Sequence, residues 1–188
     1  MLVTAKGKGP ATYADIEALP EHVVGEILDE ELIVSPRPGA PHAIAASRLM
    51  IELGGPFDRG RGGPGGWAIL TEPELHFGPQ VIVPDLAGWR RERMPQVPDV
   101  PFFELAPDWL CEVLSPSTAR IDRSRKMRHY ARARVQHVWL VDPLATTLEV
   151  FRLDGDGWRL VDAYGGDAKV RPGPFDAVEL ELVNLWSR

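Results

Sequence analysis

Cysteine is almost absent: Cys111 is the single one in 188 residues. An intrachain disulfide and a multi-cysteine zinc site are therefore excluded. Long apolar runs are also missing, and none approaches the ~20 residues a membrane-crossing helix needs. The opening Met1-Leu2-Val3-Thr4-Ala5-Lys6-Gly7-Lys8 has no basic region followed by an apolar stretch, so no secretory signal is read there. The expected compartment is the cytoplasm, with no membrane partner. An overall positive charge is lacking as well. The net charge is −6, which argues against a surface coated for nucleic acid. Lysine is scarce: between Lys8 and Lys169 only Lys126 occurs, and arginine carries the rest of the positive charge.

What is there is a soluble, foldable composition, 44% hydrophobic and 26% charged, in a length that suits one domain. Residues 1–10 are small and polar and read as a disordered end, leaving 11–188 as the domain. The charge is uneven. Residues 120–134 hold seven Lys or Arg and one Asp, a net of +6, so the remainder carries −12. A basic helix in an acidic chain reads either as a solvated face balanced by acidic neighbours or as a contact to phosphate.

Local patterns give an alternation of short strands and helices. Thr12-Tyr13-Ala14-Asp15 starts a helix in capping-box style, stopped by Pro20. Val24 to Leu28 and Glu31 to Val34 flank Asp29-Glu30 as a hairpin whose turn lacks glycine. Pro41 to Leu53 is a helix. Gly54 to Gly66, with seven glycines and two prolines, reads as a flexible loop. Strands are expected over 67–70, 74–77, 81–89, 109–114, 137–141, 148–153 and 158–161, with a last one over 177–182. The basic helix is expected from Asp122 to Arg134. One α/β or α+β domain follows.

Two carboxylates sit inside strand-like apolar runs. Asp85 follows Pro84 in Val81-Ile82-Val83-Pro84-Asp85-Leu86-Ala87, and Glu112 lies within Trp109-Leu110-Cys111-Glu112-Val113-Leu114. A buried ionised carboxylate costs several kcal/mol without a partner. Each is therefore paired with an arginine, or the two converge on one divalent ion. Oxygen-only ligands with room for water suit Mg²⁺ or Mn²⁺. Lys126 borders the helix face formed by Met127, Tyr130, Ala131 and Arg134, and a compact ammonium there suits a nucleophilic water or a developing phosphorane-like charge. Cys111 reads as a buried apolar residue on the opposite face from Glu112. Glu74 reads as solvent-facing. Ser115 and Ser117 have no histidine spaced for a triad, and the glycines of 54–66 do not form a phosphate loop.

Pro84-Asp85, then Glu112, then Lys126 resembles the PD-(D/E)XK nuclease superfamily. Several segments narrow the resemblance to the Uma family of restriction endonucleases. They are Gly25-Glu26-Ile27-Leu28-Asp29 with Glu31-Leu32 and Ser35-Pro36, then His42, Val83-Pro84-Asp85-Leu86, and the run from Pro107 to Thr118. Asp122, Lys126, Tyr130 and Val138-Trp139-Leu140-Val141-Asp142-Pro143 complete them, so the resemblance spans about 12 to 186. The superfamily's Glu-x-Lys would place lysine at 114, where this chain has Leu114. The resemblance implies that the lysine has moved to the following helix, as Lys126.

The resemblance implies a restriction-endonuclease-like core, a mixed central sheet flanked by helices. It implies a Mg²⁺-dependent DNA endonuclease in which Asp85 and Glu112 bind the metal and Lys126 completes the catalytic set. Glu26 and His42 would support the site, though Glu26 also reads as an exposed hairpin residue and His42 as a capping or packing histidine. Arg120, Arg123, Arg125 and Arg128 would meet DNA phosphates, and a homodimer, with exposed Trp or Phe of the C-terminal hairpin as interface, would cut both strands. The alternative is a non-catalytic nucleic-acid-binding or protein-interaction domain of the same fold.

Overall fold

The computed structural model describes residues 3–5 and 9–187. Its elements, in chain order, are β1 (Val3–Ala5), α1 (Tyr13–Glu17), β2 (Val23–Leu28), β3 (Glu31–Pro36), α2 (Ala40–Leu53), β4 (Trp67–Thr71), β5 (Leu75–Phe77), β6 (Gln80–Ile82) and β7 (Leu86–Arg90). They continue with β8 (Trp109–Val113), α3 (Ala119–Ile121), α4 (Met127–Arg132), β9 (His137–Asp142), β10 (Thr147–Asp154), β11 (Gly157–Gly165), β12 (Lys169–Val170), β13 (Leu180–Glu181) and α5 (Val183–Trp186). Two sheets carry the architecture: one ordered β1-β3-β2-β6-β5, the other β11-β10-β9-β8-β7-β4. A short β12-β13 pair completes it. None of the described helices is long and apolar enough to cross a membrane.

The larger sheet is mixed. β8 and β9 run parallel, while its other neighbouring strands are antiparallel. A parallel pair needs a crossover, and the basic helix supplies it. Alternation along β8 splits the core. Trp109, Cys111 and Val113 face a cluster with Leu49 and Leu53 of α2, Trp139 and Phe175. Leu110 and Leu114 face a second cluster with Leu28, Ile33 and Ile82 of the smaller sheet and with Ile121, Met127 and Tyr130 of the basic helix. Glu112 shares the parity of Leu110 and Leu114, so it faces this second cluster.

Several expectations hold. Asp15 accepts from the Thr12 backbone N–H at 2.7 Å and from its hydroxyl at 2.9 Å. The β2-β3 hairpin forms without glycine by placing Asp29 and Glu30 at φ 51° and 66°, the left-handed region that a two-residue primed turn requires.

Others are corrected. Residues 81–89 are not one strand: β6 belongs to the smaller sheet and β7 to the larger. The break falls at Val83-Pro84-Asp85, where Pro84 has no N–H to extend a ladder. Gly54–Asp58 is not a free loop but a π-helical turn continuing α2, held by Phe57 packing on Phe175 at 4.7 Å between ring centroids. The basic helix begins earlier, at Ala119, and contains a π-helical turn over Asp122–Lys126. The last strand shrinks to Leu180–Glu181, and α5 follows it. Trp158 and Phe151 of the C-terminal hairpin are not exposed contacts; they pack on the second core cluster, and the Trp158 indole N–H donates to the Met127 carbonyl at 2.7 Å. Of the disordered end expected over 1–10, residues 3–5 pair with β3 as β1, and 1–2 and 6–8 lie outside the described residues.

Candidate active site

Each element delivers one or two polar groups to a pocket of about 290 Å³. β2 contributes Glu26, which shares the parity of Leu28 and so points inward between the sheets. The break between β6 and β7 contributes Asp85, β8 contributes Glu112, and the basic helix contributes Asp122 and Lys126. The N-terminal turn of α2 contributes His42. All six line the same pocket. The geometry gathers Asp85, Glu112, Lys126, Glu26 and His42, the five site residues read from the sequence.

Lys126 is the centre. Its ammonium lies 2.9 Å from Glu26 Oε1, 3.2 Å from Glu112 Oε1 and 3.5 Å from Asp122 Oδ1, and it is only 5% exposed. Burial works against its charge, but the three carboxylates outweigh burial and raise its pKa well above that of a free lysine. It therefore stays an ammonium. Glu112 is pushed the same way for a different reason. Burial raises its pKa well above the usual carboxylate range, Lys126 offsets part of this, and Asp122, Asp85 and Glu26 add to it. Asp122 is raised chiefly by burial too, against the pull of Lys126.

The remaining contacts fix the carboxylates. The Tyr130 hydroxyl donates to Glu112 Oε1. Tyr130 is buried, and burial with the Glu112 charge raises its phenol well above pKa 10.0, so it remains a donor. Asp85 Oδ2 accepts from the Val113 N–H at 2.7 Å, one step beyond the β7-β8 ladder, which pairs Leu86 with Cys111. Asp85 Oδ1 lies 3.0 Å from His42 Nε2. Burial opposes a charge on His42, but Asp85 outweighs it and the pKa is raised. His42 Nδ1 is buried with no hydrogen-bond partner among the described residues. Glu26 Oε1 also accepts from the Val83 N–H at 2.8 Å, tying β2 to the segment that carries Asp85.

The arginine-paired alternative for Asp85 and Glu112 is overturned: their partners are His42 and Lys126. Glu74 does not face solvent freely. It is half-buried and lies 2.7 Å from His76, outside the pocket. Of the arginines expected to meet phosphate, Arg123 pairs with Glu149, and Arg125 pairs with Asp29 and Glu31. Arg120 and Arg128 are exposed and form no ion pair among the described residues. Asp122 and Tyr130 carry roles that the residue patterns did not reveal. Their spacing was the available signal, because Asp122, Lys126 and Tyr130 stand at i, i+4 and i+8 along one helix face.

The donor set suits a hard divalent cation. Four carboxyl groups face one ammonium and one imidazole, so the acids outnumber the bases, and every carboxyl donor atom is oxygen. Among the described residues no three acidic, histidine or cysteine side chains close into a metal cage. Mg²⁺ commonly takes only one or two carboxylates and completes its shell with water and phosphate.

The family model Uma2, described as "Putative restriction endonuclease", matches residues 10–182. The chain belongs to the Uma2 family. A solved structure supports the same fold: the crystal structure of a "putative nuclease belonging to DUF820" from Anabaena variabilis ATCC 29413. It superposes with a TM-score of 0.76 at 25% sequence identity, covering 95% of this chain and 98% of that one. No curated protein matches this Uma2 chain.

Proposed function

We propose that the pocket is the active site of a metal-dependent endonuclease that hydrolyses DNA phosphodiester bonds. The observation that carries this reading is the Lys126 ammonium, held within 3.5 Å of Glu26, Glu112 and Asp122 in the pocket that also contains Asp85. A nuclease needs this set: acids to hold a cation, and a fixed positive charge beside the phosphate.

Asp85 and Glu112 are the metal ligands in this reading, for Mg²⁺ or Mn²⁺. When bound, the ion supplies Lewis acidity and lowers the pKa of the attacking water. The protein's own groups do the positioning. Lys126 supplies a fixed positive charge beside the scissile phosphate, its three N–H groups being directed at Glu26, Glu112 and Asp122. Glu26 and Asp122 keep it charged and hold its long side chain in one place. Tyr130 fixes the Glu112 carboxylate, and His42 with the Val113 N–H fixes that of Asp85. Arg120 and Arg128 are the helix's cations for neighbouring phosphates.

The test is Mg²⁺-dependent cleavage of circular single-stranded and duplex DNA by the wild type and by Asp85→Asn. The substituted amide keeps an oxygen acceptor for the Val113 N–H. The thermal midpoint therefore stays while cleavage falls by at least about a hundredfold, the scale of lost ligand or oxyanion donors. Full cleavage by a folded Asp85→Asn protein would falsify the assignment.

A further inference from the structure

The groups of this pocket are recessed. Glu26, Glu112, Asp122 and Lys126 are each at most 5% exposed. Asp85 and His42 are the more open ones, at 17% and 11%. The pocket's roughly 290 Å³ is at the small end for a ligand site, which typically begins near about 300 Å³. Pro36, Pro38 and Pro116 are among its exposed lining residues, and Ser35, Ser115 and Ser117 line it as well.

The surrounding charge is unsuited to a double helix. A protein gripping duplex DNA typically neutralises about 6–10 phosphates with Lys and Arg, and half or more of its hydrogen bonds go to the backbone. Here Arg37 is the single arginine lining the pocket, against the carboxylates of Glu26, Glu72, Asp85, Glu112 and Asp122. The basic helix makes up only part of the difference: Arg120 and Arg128 are exposed and form no ion pair among the described residues, but Arg123 and Arg125 are already opposed. Arg123 is matched by Glu149, and Arg125 by Asp29, Glu31 and the Leu28 carbonyl. Cations already opposed by carboxylates offer a phosphate little additional attraction.

We infer that the substrate is an unpaired DNA strand, admitted one phosphodiester at a time, and not an intact duplex. This rests on the nuclease reading above. In a duplex each phosphodiester follows the fixed course of a stacked, paired helix, and seating one deep in a recess requires the helix to bend or locally open at a cost of a few kcal/mol. An unpaired strand turns its backbone torsions freely and inserts one linkage without that cost. Arg37 at the mouth meets the adjoining phosphate, and the three prolines give the sugar and base an apolar rest. The acidic lining, with Arg37 as its single arginine, repels the second strand's phosphates.

The test separates strand choice from chemistry. Binding is read by fluorescence anisotropy of a labelled oligonucleotide in Ca²⁺, alone or annealed to its complement. Cleavage of the same two substrates is read in Mg²⁺ and in Mn²⁺. The single strand is expected to bind at least about tenfold more tightly and to be cut faster by a similar factor. Arg37→Ala is expected to weaken single-strand binding about fivefold and to reduce its salt dependence by about one ion. A duplex bound or cut as well as the single strand overturns the inference, as does an absence of binding to both. Preferential binding of the single strand with no cleavage in either metal upholds the strand choice and overturns the nuclease reading.

Discussion

Lys126 Nζ and Glu112 Oε1 face each other at 3.2 Å with both side chains almost removed from solvent. Neither would be stable there alone. The ammonium needs Glu26, Glu112 and Asp122 to remain charged, and Glu112 needs Lys126 to offset part of its burial. The site's positive charge and its acids therefore form one unit, put together from β2, β8 and the π-helical turn of the basic helix.

That unit has a cost when broken. Lys126→Met keeps the side chain's bulk but strands three buried carboxylates. We expect a loss of about 3–5 kcal/mol of unfolding free energy, measured by urea titration near neutral pH. A loss below about 1 kcal/mol would show that the cage is open to water. The same reasoning rules out Lys126→Ala as a variant that leaves the thermal melt untouched, as a solvent-bordering lysine would allow.

Tyr130→Phe removes the hydroxyl that donates to Glu112 and leaves the ring in the core. Groups that orient a ligand typically change metal affinity by about 10–100-fold. A Mn²⁺ dissociation constant raised at least about tenfold, with the secondary structure intact by circular dichroism, is the expected result. An unchanged constant would mean that Glu112 does not need Tyr130 to bind.

Two histidines away from the site govern part of the pH dependence. Burial lowers the pKa of His129, which Asp29 opposes and Arg132 and Arg128 reinforce. Burial also lowers that of His137, aided by Arg152 and Arg90 against Asp108. Both therefore bind a proton less readily in the fold than a free histidine does. The unfolded chain binds more protons below its pKa of 6.5, so stability rises with pH through this window and is lost as pH falls through the folded values. Asp122 and Glu112 act with the opposite sign, because their raised pKa values favour the fold in acid. The informative quantity is therefore a difference. Between about pH 7.5 and about pH 5.5 the wild type is expected to lose more Tm than a His129→Gln, His137→Gln protein. Equal slopes would contradict the assignment.

The hairpin turn carries strain that glycine relieves. Glu30 is exposed and sits at φ 66°, where a side chain costs about 1–2 kcal/mol. Its contact with Ala11 uses only the backbone carbonyl, at 2.8 Å. Glu30→Gly is expected to raise stability by about 0.5–1 kcal/mol after the extra freedom of the unfolded glycine is subtracted. A loss would show that the Glu30 side chain makes a contribution unseen in its contacts. Asp29 is the wrong position for this change, because its carboxylate lies 3.0 Å from both Arg125 and His129.

Local patterning made much of this legible. A continuous apolar run broken only by Glu112 marked β8 as a buried strand, the two-residue strand period put Glu112 and Cys111 on opposite faces, and the resemblance gathered Glu26, His42, Asp85 and Lys126. What escaped depended on distant partners. The split at Pro84 is invisible to hydrophobic periodicity, because apolar residues continue on both sides while the chain changes sheets. The spacing of Asp122, Lys126 and Tyr130 puts them on one helix face, but that this face meets Glu112 depends on packing across the sheet that local sequence does not show. Arg123 and Arg125 of the basic helix looked free because their partners, Asp29, Glu31 and Glu149, are remote in sequence. The glycine-rich segment looked mobile because Phe175, which receives Phe57, lies more than a hundred residues later.

The most direct test of the central claim is calorimetric titration of the folded protein with Mn²⁺. The account predicts stoichiometric binding at one site per chain, lost in Asp85→Asn and in Glu112→Gln while both variants keep their fold. No heat from the wild type, or full binding by both variants, would contradict it.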